Sequence, residues 1–193
     1  MKLILGSSSK YRKEMLENAG YFFSVVSPDV DEDSIFTDDP YRRPLILARA
    51  KADNLAEKIK ESALVIACDV VVISKGRLYE KPKTEAEALG MLNKWGTGVE
   101  IDVVCGVVLL NTGNGKRYEG TDIAKIFFKE FPKEMLKDFM KHGEPLARAG
   151  AFSMQHPIMN PYVDRVEGDK TTVIGLSLSL LEKLLIEAGY KKD

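Results

Sequence analysis

LVIACDVVVI, residues 64–73, is apolar and mostly β-branched, with one exception at Asp69. Such a run suits a central strand buried within a sheet. After it, Lys75-Gly76 turns the chain into a further short strand, Arg77–Tyr79. Before it, Leu45, Leu47, Ala48, Ala52, Leu55, Ala56 and Ile59 follow Pro44 at helical spacing and predict one long helix with an apolar stripe. Farther upstream, Lys2–Leu5 reads as a strand that halts at Gly6-Ser7-Ser8-Ser9. Tyr11, Met15, Leu16 and Ala19 then take up a helical period that Gly20 stops. Phe22–Val26 predicts a second strand, ended by Ser27-Pro28.

Downstream, a helix is expected over Thr84–Lys94, with Thr84 as N-cap and Ala86, Leu89, Met91 and Leu92 as core contacts. Strands over Glu100–Leu110 and Arg117–Lys129 flank Asn111-Thr112-Gly113-Asn114-Gly115, a hairpin signal. Pro132 opens another helix that ends near His142-Gly143. Gly143–Asp169 is irregular apart from a strand at Tyr162–Val166, and Ser177–Ala188 closes the chain as a helix. Strands and helices alternate first and a long hairpin sits in the middle. The pattern predicts an α/β fold: a mixed twisted sheet with flanking helices and a long hairpin, in one domain spanning residues 1–193.

The bulk composition narrows the function. The 193 residues are 45% hydrophobic and 30% charged, and 28 Lys plus Arg nearly cancel 29 Asp plus Glu. A net charge of -1 argues against a broad basic face, and so against duplex nucleic acid as a partner. No segment approaches the ~18 continuous apolar residues of a membrane span, and the apolar start at Leu3 is too short for a signal-peptide core. Cys68 and Cys105 both lie in apolar runs and read as small core residues in a reducing compartment. The expectation is a cytoplasmic protein with no membrane partner.

Four groups of residues could carry chemistry. The turn Gly6–Ser9, with Ser7 and Ser9, precedes a helix bearing Lys10, Arg12 and Lys13. Its backbone N–H groups and the helix dipole favour an anion, and Arg12 can fork onto phosphate oxygens. Asp29, Asp31, Glu32 and Asp33 form an acidic loop of the kind that binds hard divalent cations. Asp69 is costly inside its apolar strand unless paired, hydrogen-bonded or bound to metal. Lys51 falls near the apolar stripe of its helix, where a lysine calls for a partner or an open cleft, and Lys81 precedes Pro82 on extended backbone. On spacing alone each has an ordinary alternative: a plain strand–helix turn, a solvated loop, an aspartate at a strand end, surface lysines. His142 and His156 form no paired metal-ligand motif, and neither G-x-x-x-x-G-K-[ST] nor G-x-G-x-x-G occurs.

Together these segments resemble the Maf family of nucleoside triphosphate pyrophosphatases over nearly the whole chain. LGSSSKYRKEML resembles the family's opening block, VDED its acidic loop, LARAKA its helix lysine block and ACDVVV the strand with its catalytic Asp. EKPKTEAEALGMLNKWGTG, GEPLARAGAFSMQ and VIGLSLSLLEKLL resemble the later blocks in the same order. The resemblance implies a fold related to that of the inosine-triphosphate pyrophosphatases, with two lobes around a cleft, and homodimers. It implies hydrolysis of nucleoside triphosphates, including non-preferred or modified ones, to the monophosphate and pyrophosphate. Magnesium is the expected metal, with manganese or cobalt as substitutes.

By the same resemblance, Asp69 is general base or metal ligand, and Glu32 helps to hold the metal. Ser7, Ser9, Arg12, Lys51 and Lys81 grip the triphosphate, and Gln155 contacts the nucleotide. Tyr11 stands where the family has Arg, Val70 where it has Thr, and His156 follows Gln155 where it has Gly. Tyr11, Val70 and the vicinity of Gln155 match positions that tune base choice. Two other readings stay open: a nucleotide-binding regulator of cell division without catalysis, and a different phosphate-handling enzyme.

Overall fold

The glycine at the end of the first strand sets how closely the next layer can approach. A computed structural model describes residues 1–192. Strand β1, Lys2–Gly6, ends at Gly6, where a Cβ would lie 2.3 Å from Leu55 Cδ1 and 3.1 Å from the Ile66 carbonyl oxygen. A side chain at this position would have to displace the end of Leu55 and crowd the Ile66 carbonyl. Helix α1, Lys10–Asn18, follows, and then the two-residue strand β2, Ser24–Val25. Helix α2 is Arg43–Lys58, and strands β3 and β4 are Ala63–Ser74 and Arg77–Tyr79. Helix α3, Glu85–Trp95, precedes the long strands β5, Ile101–Asn111, and β6, Arg117–Phe128. Helix α4, Lys133–His142, strand β7, Val163–Glu167, the short helix α5, Lys170–Ile174, and helix α6, Leu178–Glu187, complete the chain.

The strands form a seven-stranded mixed sheet in the order β2-β1-β3-β5-β6-β7, with β4 paired to β3. β1 runs parallel to β2 and β3, while β4 is antiparallel to β3 and β7 to β6. This is the expected α/β class. No helix among the described residues is long and apolar enough to cross a membrane.

The chain divides into two compact units. The first comprises Met1–Val70, Cys105–Asp122 and the described residues from Gly175 onward; the second comprises Val71–Val104 and Ile123–Ile174. In the first unit, Ile4, Val65, Ala67 and Val108 pack with Ala48, Ala52 and Leu55 of α2 in one apolar cluster. The expected α2 stripe is therefore its buried face, with Leu45, Ala56 and Ile59 partly buried at the margin. Cys68 and Cys105 are fully buried free thiols, and burial raises both of their pKa values. Such thiols behave as small hydrophobes. In the second unit, the Trp95 indole lies edge-on to Tyr79 and donates to the Gly150 carbonyl at 2.7 Å.

Three expectations need correction. The strand expected over Phe22–Val26 is only Ser24–Val25, and Phe22 is 84% exposed. The edge strand pairs on one side alone, so little holds it beyond its registered residues. In α3 the buried positions are Ala88, Met91, Leu92 and Trp95, while Ala86 and Leu89 face solvent. Trp95 carries the most apolar surface, and an i, i+3, i+4, i+7 pattern through it fixes the phase. The expected helix before Gly20 is present as α1, with Met15 and Leu16 buried and Tyr11 half-buried. Finally, the stretch read as irregular contains short 3-10 turns at Pro145–Ala147, Ala149–Ala151 and Asn160–Tyr162, with α5 just beyond it.

Candidate active site

The small-residue turn after β1 builds the first part of the site. Ser9 caps α1, its hydroxyl accepting from the Arg12 amide at 3.5 Å, and the Ser7 hydroxyl accepts from the Ser9 amide at 3.2 Å. Arg12 is not simply poised toward solvent. Its Nη1 donates to Ser7 Oγ and to the Cys68 carbonyl, both at 3.2 Å, and its Nε donates to the Gly175 carbonyl at 2.9 Å. The guanidinium thus joins the turn, β3 and the segment before α6, and Nη2 is the nitrogen not committed to these oxygens. Backbone acceptors such as Cys68 and Gly175 carry no side-chain signature, so the sequence could not show them.

Lys51 and Asp69 form the second part. Lys51 Nζ lies 2.6 Å from Asp69 Oδ1 and 2.9 Å from Glu32 Oε1. Lys51 and Asp69 are buried, at 6% and 8% exposure, and Glu32 reaches them from the exposed loop. Burial pushes the Asp69 carboxyl above its ordinary value, against the pull of Lys51 and Arg12. For Lys51 burial works downward, and Asp69 and Glu32 together outweigh it, so the ammonium is held protonated. A paired buried charge of this kind is a poor way to stabilise a fold, because desolvation consumes most of the Coulombic gain.

The other expected residues are placed as follows. Tyr11 and Val70 are half-buried in the first unit. Lys81 and Gln155 are exposed and belong to the second unit. There the Gly150 amide donates to the Glu80 carbonyl at 3.1 Å, tying the segment before Lys81 to the loop that leads to Gln155. That loop holds Gly150 and Ala151 at φ of 66° and 62°, a left-handed pair unusual for alanine. The family resemblance alone speaks for Lys81 and Gln155 as nucleotide contacts. Within the acidic loop, Asp29, Asp31 and Asp33 are exposed, and Glu32 is the carboxylate that reaches Lys51.

The donor set bears on a metal. Among the described residues no group of three or more His, Cys, Asp or Glu could hold an ion. Two carboxylates do converge on one positive charge, the Lys51 ammonium, which stands where a cation is favoured. Magnesium commonly takes only one or two protein carboxylates and completes its shell with water and substrate phosphate. Glu32 and Asp69 fit that use.

The architecture and the site define an α/β protein with a serine-rich strand–helix turn and a buried lysine–carboxylate centre. The chain belongs to the Maf family: the model for Maf-like proteins matches residues 2–188. Among curated relatives, a 7-methyl-GTP pyrophosphatase of Dictyostelium discoideum is 37% identical, covering 97% of each chain. A dTTP/UTP pyrophosphatase of Clostridium perfringens is 35% identical, covering 96% of each chain. A solved dITP/XTP pyrophosphatase from Mycobacterium abscessus is similar at TM-score 0.40 and 14% identity, over 68% of this chain and 76% of that one, too low to bear on the fold.

Proposed function

We propose that this chain hydrolyses nucleoside triphosphates to the monophosphate and pyrophosphate with the help of a divalent cation, magnesium first among them. The observation that carries the reading is the burial of Lys51 between Asp69 and Glu32, since the pair's desolvation has no evident structural return. The named activities of the relatives support the same reading.

In the reaction, water oxygen attacks the α-phosphorus, the bond to the α,β-bridging oxygen breaks, and pyrophosphate leaves. Asp69 orients the water and accepts its proton, a role open to a carboxylate beside the attacking water. Lys51 supplies positive charge beside the phosphoryl oxygens as negative charge spreads over them, while the turn amides and Arg12 Nη2 hold the remaining oxygens. Glu32 and Asp69 would hold the metal, which when bound supplies charge to the polyphosphate and lowers the pKa of bound water. The buried thiols support a reducing, cytoplasmic setting.

The test is a panel of common and modified nucleoside triphosphates, including 7-methyl-GTP, dTTP and UTP, with pyrophosphate detected in magnesium and in chelator. Pyrophosphate from at least one nucleotide, lost on chelation, is expected. Tight triphosphate binding without turnover would instead identify a regulator, and orthophosphate as product would identify a different phosphate-releasing enzyme.

A further inference from the structure

Glu32 sits on an exposed stretch, yet its carboxylate meets a buried ammonium at 2.9 Å. The turn's own hydrogen bonds are local: the Ser34 amide and hydroxyl donate to the Asp31 carbonyl, and the Ile35 amide donates to the Glu32 carbonyl. They shape the turn without fixing where it lies. Three side chains of α2 do fix it. Asn54 Oδ1 accepts from the Asp29 amide at 2.9 Å, Lys51 takes the Glu32 carboxylate, and Arg43 donates through Nη1 to the Ile35 carbonyl and through Nη2 to the Glu32 carbonyl at 3.4 Å. As the acidic stretch advances from 29 to 35, its contacts step back along the helix from 54 to 43. That is roughly 16 Å of helix at the ordinary rise.

Arg43 is the unexpected member of this rack. It is the first residue of α2 and is buried, at 9% exposure. A cation there opposes the helix dipole, which favours negative charge at the N-terminus. It is also the member that grips both ends of the segment Glu32–Ile35 by backbone oxygens, whatever side chains that segment carries.

We propose that Arg43 is a positioning residue for the metal carboxylate: by clamping the Glu32 and Ile35 carbonyls to the start of α2, it holds the Glu32 side chain at the Lys51–Asp69 centre. The inference rests on the proposed function insofar as Glu32 serves a metal. Groups that orient a metal ligand are commonly worth 10- to 100-fold in affinity, and roughly that loss is expected here.

The test uses the full chain and does not depend on turnover. Manganese binding is followed by the electron paramagnetic resonance of the free ion in wild type, Arg43→Met, Arg43→Lys, Glu32→Gln and the Arg43→Met/Glu32→Gln double variant. Amide hydrogen exchange over residues 29–36 is followed in the metal-free proteins. Arg43→Met should weaken manganese binding by roughly 10-fold or more and speed exchange in that segment, with Arg43→Lys in between. The double variant should bind no worse than Glu32→Gln alone, because both changes remove one contribution. Unchanged manganese affinity in Arg43→Met, or losses that simply multiply in the double variant, overturns the proposal. If Arg43→Met does not fold, Arg43→Lys decides: wild-type affinity together with wild-type exchange overturns it. A wild type that binds manganese normally but releases no pyrophosphate from any nucleotide defeats the proposed hydrolysis and leaves the clamp standing.

Discussion

Two lysines in this molecule each face a pair of carboxylates, and they live in different worlds. Lys51, in the first unit, lies 2.6 Å from Asp69 and 2.9 Å from Glu32, with its side chain 7% exposed. Lys125, in the second unit, lies 2.6 Å from Glu100 and 4.0 Å from Asp102, with its side chain 40% exposed. Both are held protonated: Lys125 first by its hydrogen bond to Glu100, Lys51 by two carboxylates acting against burial. Water screens the Lys125–Glu100 pair, whose side chains are 40% and 51% exposed, while Asp102, 15% exposed, lies at the buried edge of the cluster. Within the Lys51 cluster, Lys51 and Asp69 have given up most of their hydration and depend on each other, while Glu32 stays half in water. Each lysine faces one exposed and one largely buried carboxylate, so the two clusters differ chiefly in how deeply the lysine itself is buried.

The contrast is sharpest in activity. Asp69→Asn keeps the shape and a hydrogen-bond acceptor for Lys51 but cannot take a proton, so kcat should fall by roughly 10²- to 10⁴-fold. Circular dichroism should remain that of the wild type. Near-normal turnover in the folded variant would remove Asp69 from the chemistry.

Lys51→Met tests burial directly. It leaves Asp69 and Glu32 facing each other without their cation, and breaking a buried pair in this way costs about 3–5 kcal/mol, readable by urea unfolding. The pH dependence carries its own sign. In the metal-free protein burial holds the Asp69 carboxyl above its ordinary value, so the carboxylate is lost as pH falls through that raised value, and the acid limb of manganese affinity lies above the usual carboxylate range. Removing Lys51 removes the largest opposing charge, and the limb moves to still higher pH. For stability the sign reverses: a raised folded value favours the protonated carboxyl, a contribution present below the unfolded value and lost as pH rises through the folded one. An acid limb that stays put in Lys51→Met would detach it from Asp69.

The smallest effect belongs to the surface cluster. Lys125→Ala should leave the kinetics unchanged and lower the unfolding midpoint far less than Lys51→Met does. A large loss in either would erase the contrast drawn between the two lysines.

The buried centre was legible where physics makes a residue conspicuous. Asp69 interrupts a run of β-branched residues, and Lys51 falls among the alanines and leucines of an apolar stripe. Both therefore declared a cost that something had to offset. Glu32 was legible only as one of several acids, because nothing in VDED separates the carboxylate that reaches inward from those that do not. The sequence places Met91 and Leu92 of α3 in the core correctly but not Ala86 and Leu89, because apolar residues are spread widely around that helix and packing selects the face with Trp95. Arg43 gave no signal among Tyr41, Arg42 and Pro44, since its acceptors are main-chain oxygens. The strand order was open for a similar reason: β-branched runs reveal strands but not their neighbours.

Trp95 has a practical consequence. It is the sole tryptophan of the chain, buried in the second unit with its indole N–H bonded to Gly150. Intrinsic emission excited in the red edge of the absorption band is therefore a private optical label for that unit, blind to events around Lys51 unless they propagate. A denaturation curve followed in this way, laid over one followed by backbone ellipticity, shows directly whether the molecule melts as one cooperative body or in stages.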